Sequence, residues 1–137
     1  MRFAVWLIFV AVSACTQANN SYEVKGRCGG LPREWISLNN SPGFHLRMKN
    51  ELHLTKESRL LWNEAPVSEE QLKGYLKLTG SDAFPVPPVL HFVVDEGASC
   101  NWVRHVRSDV TTQQGCGHEN CLEYTLAEWQ KAAPPAH

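Results

Sequence analysis

The stretch RLLWNEAPVSEEQLKGYLK, residues 59 to 77, predicts a strand, a tight turn and a helix in direct succession. Its first residues are mainly apolar and predict a strand that is broken by a turn at Asn63. Ser68 and Gln71 have the spacing of a capping box, in which each side chain bonds a backbone N–H group at the start of a helix. A helix is therefore predicted to begin at about Glu69.

Further elements are predicted on both sides of this stretch. Upstream, FHLRMKNELHLT (residues 44–55) alternates apolar and polar residues as a half-buried strand or hairpin does. Downstream, VLHFVVDE (residues 89–96) is almost wholly apolar, which predicts a central strand covered on both faces. A second helix is predicted from Ser99 to Gly115, and CLEYTL (residues 121–126) supplies a last strand.

The order strand, strand, helix, strand, helix, strand predicts an α+β domain. Its sheet should have about four to five strands, with two helices packed on one face. The chain has 137 residues, of which 43% are hydrophobic, so it allows one domain with one core. The formal net charge of −1 gives no excess of positive charge to neutralise phosphates, which argues against a nucleic-acid partner.

The N-terminus has the features of an export signal. One Arg precedes an apolar run and small residues in MRFAVWLIFVAVSAC, so residues 1–14 are predicted to be a signal peptide. VSAC resembles a bacterial lipobox, which predicts that Cys15 is lipidated and anchors a periplasmic protein to a membrane of the cell envelope. The alternative is an ordinary cut after Ala14 or Ala18. We predict a tether over residues 15–30, the domain over 31–128 and a disordered tail over 129–137.

Four cysteines then remain for disulfides in an oxidising compartment: Cys28, Cys100, Cys116 and Cys121. A helix between Cys100 and Cys116 would separate them by about 20 Å, whereas a disulfide needs Cα atoms within about 7 Å. Two connectivities survive: Cys28–Cys100 with Cys116–Cys121, and Cys28–Cys116 with Cys100–Cys121. We favour the first.

The succession of LLWNEAPV, SEEQLKGYLK, a proline-containing loop, LHFVVDE and a second helix resembles the periplasmic domain of the ExbD/TolR family. Leu31 and Pro32 match an LP pair that often precedes the first strands in that family. The resemblance covers roughly residues 31 to 115. It implies a biopolymer-transport accessory protein that dimerises and contacts other envelope proteins, among them ExbB/TolQ-type proton channels.

The chain departs from the family where the proton relay would lie. Family members carry an essential Asp in a transmembrane helix, whereas RFAVWLIFVAVSAC contains no carboxylate and offers no relay. Asp95 matches only a strand-end position of the family. We therefore expect a non-enzymatic binding or scaffolding protein in a transport or envelope-maintenance complex, with no catalytic, cofactor or metal site.

Two residues are candidates for a contact surface. Asp95 follows the buried strand, where it either carries a function or ends the strand in solvent. Trp62 lies beside a turn and could be exposed.

The alternative function is that of a small periplasmic metal-binding protein or hydrolase. It would use Asp95, His105, His118 and the cysteines, since CGHENC (residues 116–121) contains potential zinc ligands. A disulfide is the commoner outcome for such cysteines in an exported protein.

Overall fold

The computed structural model describes residues 20–22, 26–35, 48–80, 82–117 and 119–132. Cys15 and the predicted signal peptide lie outside this part of the chain. The elements are, in order, β1 (Lys49–Leu54), β2 (Leu60–Trp62), β3 (Ala65–Val67), α1 (Glu69–Thr79), β4 (Val89–Val94), α2 (Cys100–Val110) with a following π-helical turn (Thr111–Gly115), β5 (Cys121–Thr125) and α3 (Leu126–Ala132). Among the described residues, no helix is long and apolar enough to cross a bilayer.

The five strands form one mixed sheet in the order β3-β2-β1-β4-β5. The hairpins β1–β2 and β2–β3 are antiparallel, whereas β1–β4 and β4–β5 are parallel. In the central register Glu51 of β1 lies beside His91 of β4, which lies beside Leu122 of β5. Because side chains alternate along a strand, these three residues project from one face of the sheet.

The main core lies on the other face, beneath α1 and α2. Leu52, Phe92 and Val94 are fully buried there. Both helices contribute an apolar stripe to this core, consisting of Leu72 and Leu76 from α1 and Val103, Val106 and Val110 from α2. The α+β prediction is confirmed, with two helices on one face.

The short helix α3 is an addition to the predicted architecture. Its Trp129 packs against Val89, Leu122 and Tyr124, which project from the face opposite α1 and α2. Thr125 and Glu128 form reciprocal hydrogen bonds at the start of this helix, at 2.8 and 3.1 Å, which satisfy two backbone N–H groups. The helix runs to Ala132, so the ordered chain extends past the predicted boundary at residue 128.

The described part of the predicted tether packs on the domain. Tyr22 is 1% exposed, and its backbone N–H donates to the carbonyl of Ala98 at 2.8 Å. Ser21 forms an isolated β-bridge with Ser99. Residues 20–22 and 26–30 thus differ from a free linker, because a buried aromatic ring and a disulfide at Cys28 hold them to the body of the protein.

The starts of α1 and α2 lie where the sequence predicts them, whereas the α-helical part of α2 ends earlier than predicted. Ser68 and Gln71 form the predicted capping box of α1. The α-helical part of α2 ends at Val110, and the π-helical turn carries the chain to Gly115. That turn buries Gln114, whose amide nitrogen donates to the carbonyls of Thr79 and Pro88 at 3.2 and 3.4 Å.

The favoured disulfide connectivity is confirmed. Cys28 and Cys100 form the long-range disulfide, with a Cα–Cα distance of 5.2 Å, and Cys116 and Cys121 form the short disulfide, at 5.3 Å. The long-range disulfide ties the N-terminal segment to the start of α2. The short disulfide closes the loop between the π-helical turn and β5.

Candidate functional site

The two predicted contact residues are placed differently from each other, and neither stands free in solvent. Trp62 is 8% exposed and stacks on Tyr75 of α1 with ring centroids 5.6 Å apart. The prediction of an exposed Trp62 was therefore wrong, since the helix that follows the hairpin covers the indole. The side chain of Asp95 is 16% exposed and accepts hydrogen bonds from two groups of the domain.

Asp95 forms a pair with a histidine that the sequence reading did not single out. Its Oδ1 lies 2.7 Å from Nε2 of His53, and its Oδ2 accepts from the backbone N–H of Lys56 at 3.0 Å. His53 is near the end of β1 and Asp95 directly follows β4, so the parallel pairing of these strands brings them together. The carboxylate holds the imidazole in one orientation, as such pairs do where a histidine has a function.

The sheet face that carries this pair also holds a buried histidine. His91 is 6% exposed, and neither of its ring nitrogens has a hydrogen-bond partner among the described residues. Tyr124 stacks on its ring at 5.3 Å, and Trp129 of α3 lies 5.0 Å away. Burial lowers the pKa of His91 to about 4, with a smaller contribution from the positive charge of Lys49. His91 is thus neutral at pH 7.

Glu51 is the carboxylate in register with His91 on the neighbouring strand. Burial raises the pKa of Glu51, and the negative charge of Glu64 adds to the effect. A hydrogen bond from Trp129 and the nearby His53 act in the opposite direction. The face therefore combines a carboxylate, a neutral histidine and the His53–Asp95 pair.

A fully buried ion pair lies on the helix-covered side. The guanidinium of Arg107 on α2 donates twice to Glu123 of β5, at 2.6 and 2.7 Å, and once to the carbonyl of Arg27 at 2.7 Å. The hydroxyl of Tyr22 donates to the same Glu123 at 2.7 Å, which with burial raises the pKa of Tyr22. These bonds hold the N-terminal segment, α2 and β5 together, so a structural role accounts for them.

A second ionisable cluster lies on the outer surface of α1 and α2, and we call it the His105 cluster: Glu69, His105 and Asp109. Nε2 of His105 is 2.9 Å from Oε2 of Glu69 and 3.6 Å from Oδ2 of Asp109. The three donor atoms lie within 4.8 Å of one another. Lys73 reaches Oδ2 of Asp109 at 3.6 Å.

Two adjoining cavities lie beside this cluster. The first, of about 330 Å³, is lined by Glu69, Asn101, Trp102 and His105. The second, of about 340 Å³, extends toward the β2–β3 hairpin and is lined by Ser58, Arg59, Leu60, Pro66, Val67, Glu69 and Trp102. They share Glu69 and Trp102, so they form a groove from the hairpin to the first turn of α2.

The residues of the alternative metal prediction are not assembled as that prediction required. The four cysteines after Cys15 are all in disulfides, which removes their thiolates as ligands. His118 lies outside the described residues. Asp95 pairs with His53 on the sheet, and His105 groups instead with Glu69 and Asp109. The sequence analysis did not single out Glu69 or Asp109, although His105 and Asp109 are four residues apart on a predicted helix and are therefore expected to be neighbours on its surface.

Several large apolar side chains stay exposed at one end of the sheet, and we call this group the apolar end: Met48, Leu78, Phe84 and Val86. The exposed fraction is 67% to 69% for Met48, Leu78 and Val86, and 37% for Phe84. Met48 accepts a backbone hydrogen bond from Val89, and Phe84 donates one to Gly80. Gln114 joins the end of α1 to the residue ahead of β4 by donating to the carbonyls of Thr79 and Pro88, so the end of α1 and the starts of β1 and β4 lie at the same end of the sheet.

The sequence matches no protein-family model and no curated protein.

Proposed function

We propose that this chain is an exported, non-enzymatic binding protein of the bacterial cell envelope, with a domain of ExbD/TolR type. The observation that carries the proposal is the presence of two disulfides in a small α+β domain. Disulfides persist in the periplasm and are rare in the cytosol. They therefore support the export that the N-terminal segment predicts, with lipidation at Cys15.

The arrangement of the domain supports the family part of the proposal. A capped helix and a second helix cover one face of a sheet whose central strand ends ahead of Asp95. This is the order of elements on which the resemblance to ExbD/TolR domains rests. The proposed partners are another envelope protein, such as an ExbB/TolQ-type channel subunit, or a second copy of the chain.

The apolar end is the proposed contact surface, in place of Trp62. Leu78 and Val86 are each 69% exposed, so a partner that covered them would remove apolar area from water. A partner would gain mainly by covering this apolar area, as in the centre of most protein interfaces, while the exposed Lys49, Lys77 and Asp82 adjoin the group in the sequence.

The export part is tested by the intact mass of the protein from native membranes, with and without reductant. We expect a mass that begins at acylated Cys15 and increases by two hydrogen atoms for each of the two disulfides on reduction. A mass that begins at Met1 with free thiols would overturn the export part of the proposal.

The binding part is tested by site-specific photo-crosslinking in living cells. A photoreactive residue at Leu78 or Val86 should give a discrete adduct with an envelope protein or with a second copy, identified by mass spectrometry. Arg104, which is exposed on α2, is the control position and should give none. Equal labelling at all three positions, or no adduct at any of them, would count against a contact surface at the apolar end.

A further inference from the structure

Two carboxylates converge on a single imidazole nitrogen in the His105 cluster. Glu69 is the first residue of α1, and its carboxylate lies 2.9 Å from Nε2 of His105. Asp109 approaches the same nitrogen at 3.6 Å from one turn further along α2. The imidazole can offer only one N–H at this atom, so it can satisfy only one carboxylate at a time.

The negative charge of the cluster exceeds what its own cations neutralise. Lys73 is 3.6 Å from Asp109, and its side chain is 43% exposed, so much of its charge is screened by water. A cation placed between the three donor atoms would instead contact both carboxylates and the imidazole lone pair. From this geometry we propose that Glu69, His105 and Asp109 bind a first-row divalent metal ion, for which Zn²⁺ is the probe.

The spacing of the donor atoms fits such an ion. Zinc binds imidazole nitrogen and carboxylate oxygen at about 2.0–2.2 Å, so the ligand atoms of a tetrahedral site lie roughly 3.3–3.5 Å apart. The separations of 2.9 and 3.6 Å bracket this value, and all three atoms fit within 4.8 Å. The side chains of Glu69 and His105 are 45% and 46% exposed, so small rotations can adjust them.

The site would keep an open coordination position. Three protein ligands leave a fourth position for water or for an acidic group of a partner. Glu69 and His105 also line the cavity of about 330 Å³ beside Trp102, so the open position would face that cavity. The site goes beyond the proposed binding function, and it belongs to the helix surface instead of the apolar end.

The test is calorimetric titration of Zn²⁺ into the exported protein, purified without a polyhistidine tag. Cys15 lies outside the two disulfides and is unchanged in every protein compared, so differences between the variants report on the His105 cluster. We expect one ion per chain. His105→Ala and Asp109→Asn should each weaken binding by at least about tenfold, since each removes a direct ligand and the loss of an outer partner alone costs 10- to 100-fold.

Two further variants separate a metal site from a surface ion-pair cluster. Glu69→Gln should weaken binding, whereas Glu70→Gln, which removes the same charge from the same helical turn, should not. Lys73→Met should strengthen binding several-fold, because it removes the cation that competes for Asp109. Lower pH should weaken binding, since the metal requires the unprotonated imidazole.

The five substituted helix residues are exposed or partly buried, so their variants should retain the far-UV spectrum of the parent protein. The absence of stoichiometric Zn²⁺ binding to the parent protein would overturn the proposal. Binding that His105→Ala leaves unchanged, or that Glu70→Gln weakens as much as Glu69→Gln, would do so as well.

Discussion

His91 should make the protein lose stability as the pH falls, and His91→Phe should remove this effect. His91 is only 6% exposed and lies against Tyr124 and Trp129, and within the part of the chain that the structure describes its imidazole has no hydrogen-bond partner. A proton on it would place an unpaired charge among aromatic rings, which burial strongly disfavours. Phenylalanine retains the planar ring and cannot titrate.

The direction in which stability changes with pH follows from the pKa of His91, which is about 4 in the folded protein and 6.5 in the unfolded chain. Between these values the unfolded chain binds more protons, so the free energy of unfolding increases with pH. The contribution is fully present above about pH 6.5 and is lost as the pH falls toward 4. At 1.36 kcal/mol per pKa unit, the loss is about 3 kcal/mol.

Urea denaturation with intact disulfides, from pH 4 to pH 7.5, measures this difference. Lys49, Glu51 and His53 also face this side of the sheet, and they are present in both proteins. Subtracting the variant from the parent protein therefore isolates His91. We expect the stability difference to change by about 3 kcal/mol over this range.

His91→Gln is the matched control, because it keeps a polar side chain that does not titrate. It should flatten the pH dependence as His91→Phe does, even where its absolute stability differs. A parent protein and variants with the same slope between pH 6.5 and 4 would refute the assignment of the effect to His91.

Three further predictions concern stability, each measured by urea denaturation. Glu123→Gln should cost about 3–5 kcal/mol, because it leaves the buried charge of Arg107 without its partner; a cost below 1 kcal/mol would contradict this. Gly80→Ala should cost about 1–3 kcal/mol, since its Cβ would lie 2.7 Å from the carbonyl oxygen of Gln113; a neutral effect would show that the π-helical turn gives way. Replacing the two cysteines of the long-range disulfide by serine should cost about 2 kcal/mol more than replacing those of the short disulfide. The reason is that the long-range disulfide, with a sequence separation of 72 residues against 5, restricts the unfolded chain more. Equal losses would indicate that strain or denatured-state structure outweighs loop entropy.

The two sides of the sheet suggest separate roles for separate regions. The face with His91 is closed by aromatic rings and α3, which suits a role in stability. The opposite side carries the His105 cluster and its groove on exposed helix surfaces. A test of the metal site therefore leaves the core unaltered, and a test of His91 leaves the metal ligands unaltered.

Most of the secondary structure, and the exclusion of one disulfide pairing, could be predicted because their causes are local. The capping box at Ser68 depends on residues three apart, and the alternation of β1 on neighbouring residues. The exclusion of a Cys100–Cys116 bond needed only the length of the intervening helix. The prediction that β4 is buried on both faces implies that His91 is buried as well, although His91 was not among the predicted site residues.

The partners of the ionisable side chains were decided by the tertiary structure. His53 and Asp95 are 42 residues apart, and the register of two parallel strands brings them together. Glu69 reaches His105 across 36 residues through the packing of α1 beside α2. Sequence patterns report which face of an element is apolar, whereas the angle and register at which elements pack decide which polar side chains meet. For this reason the α+β class and the exclusion of a Cys100–Cys116 bond followed from the amino-acid sequence, whereas the choice between the two remaining disulfide connectivities, the His105 cluster and the burial of Trp62 followed only from the fold.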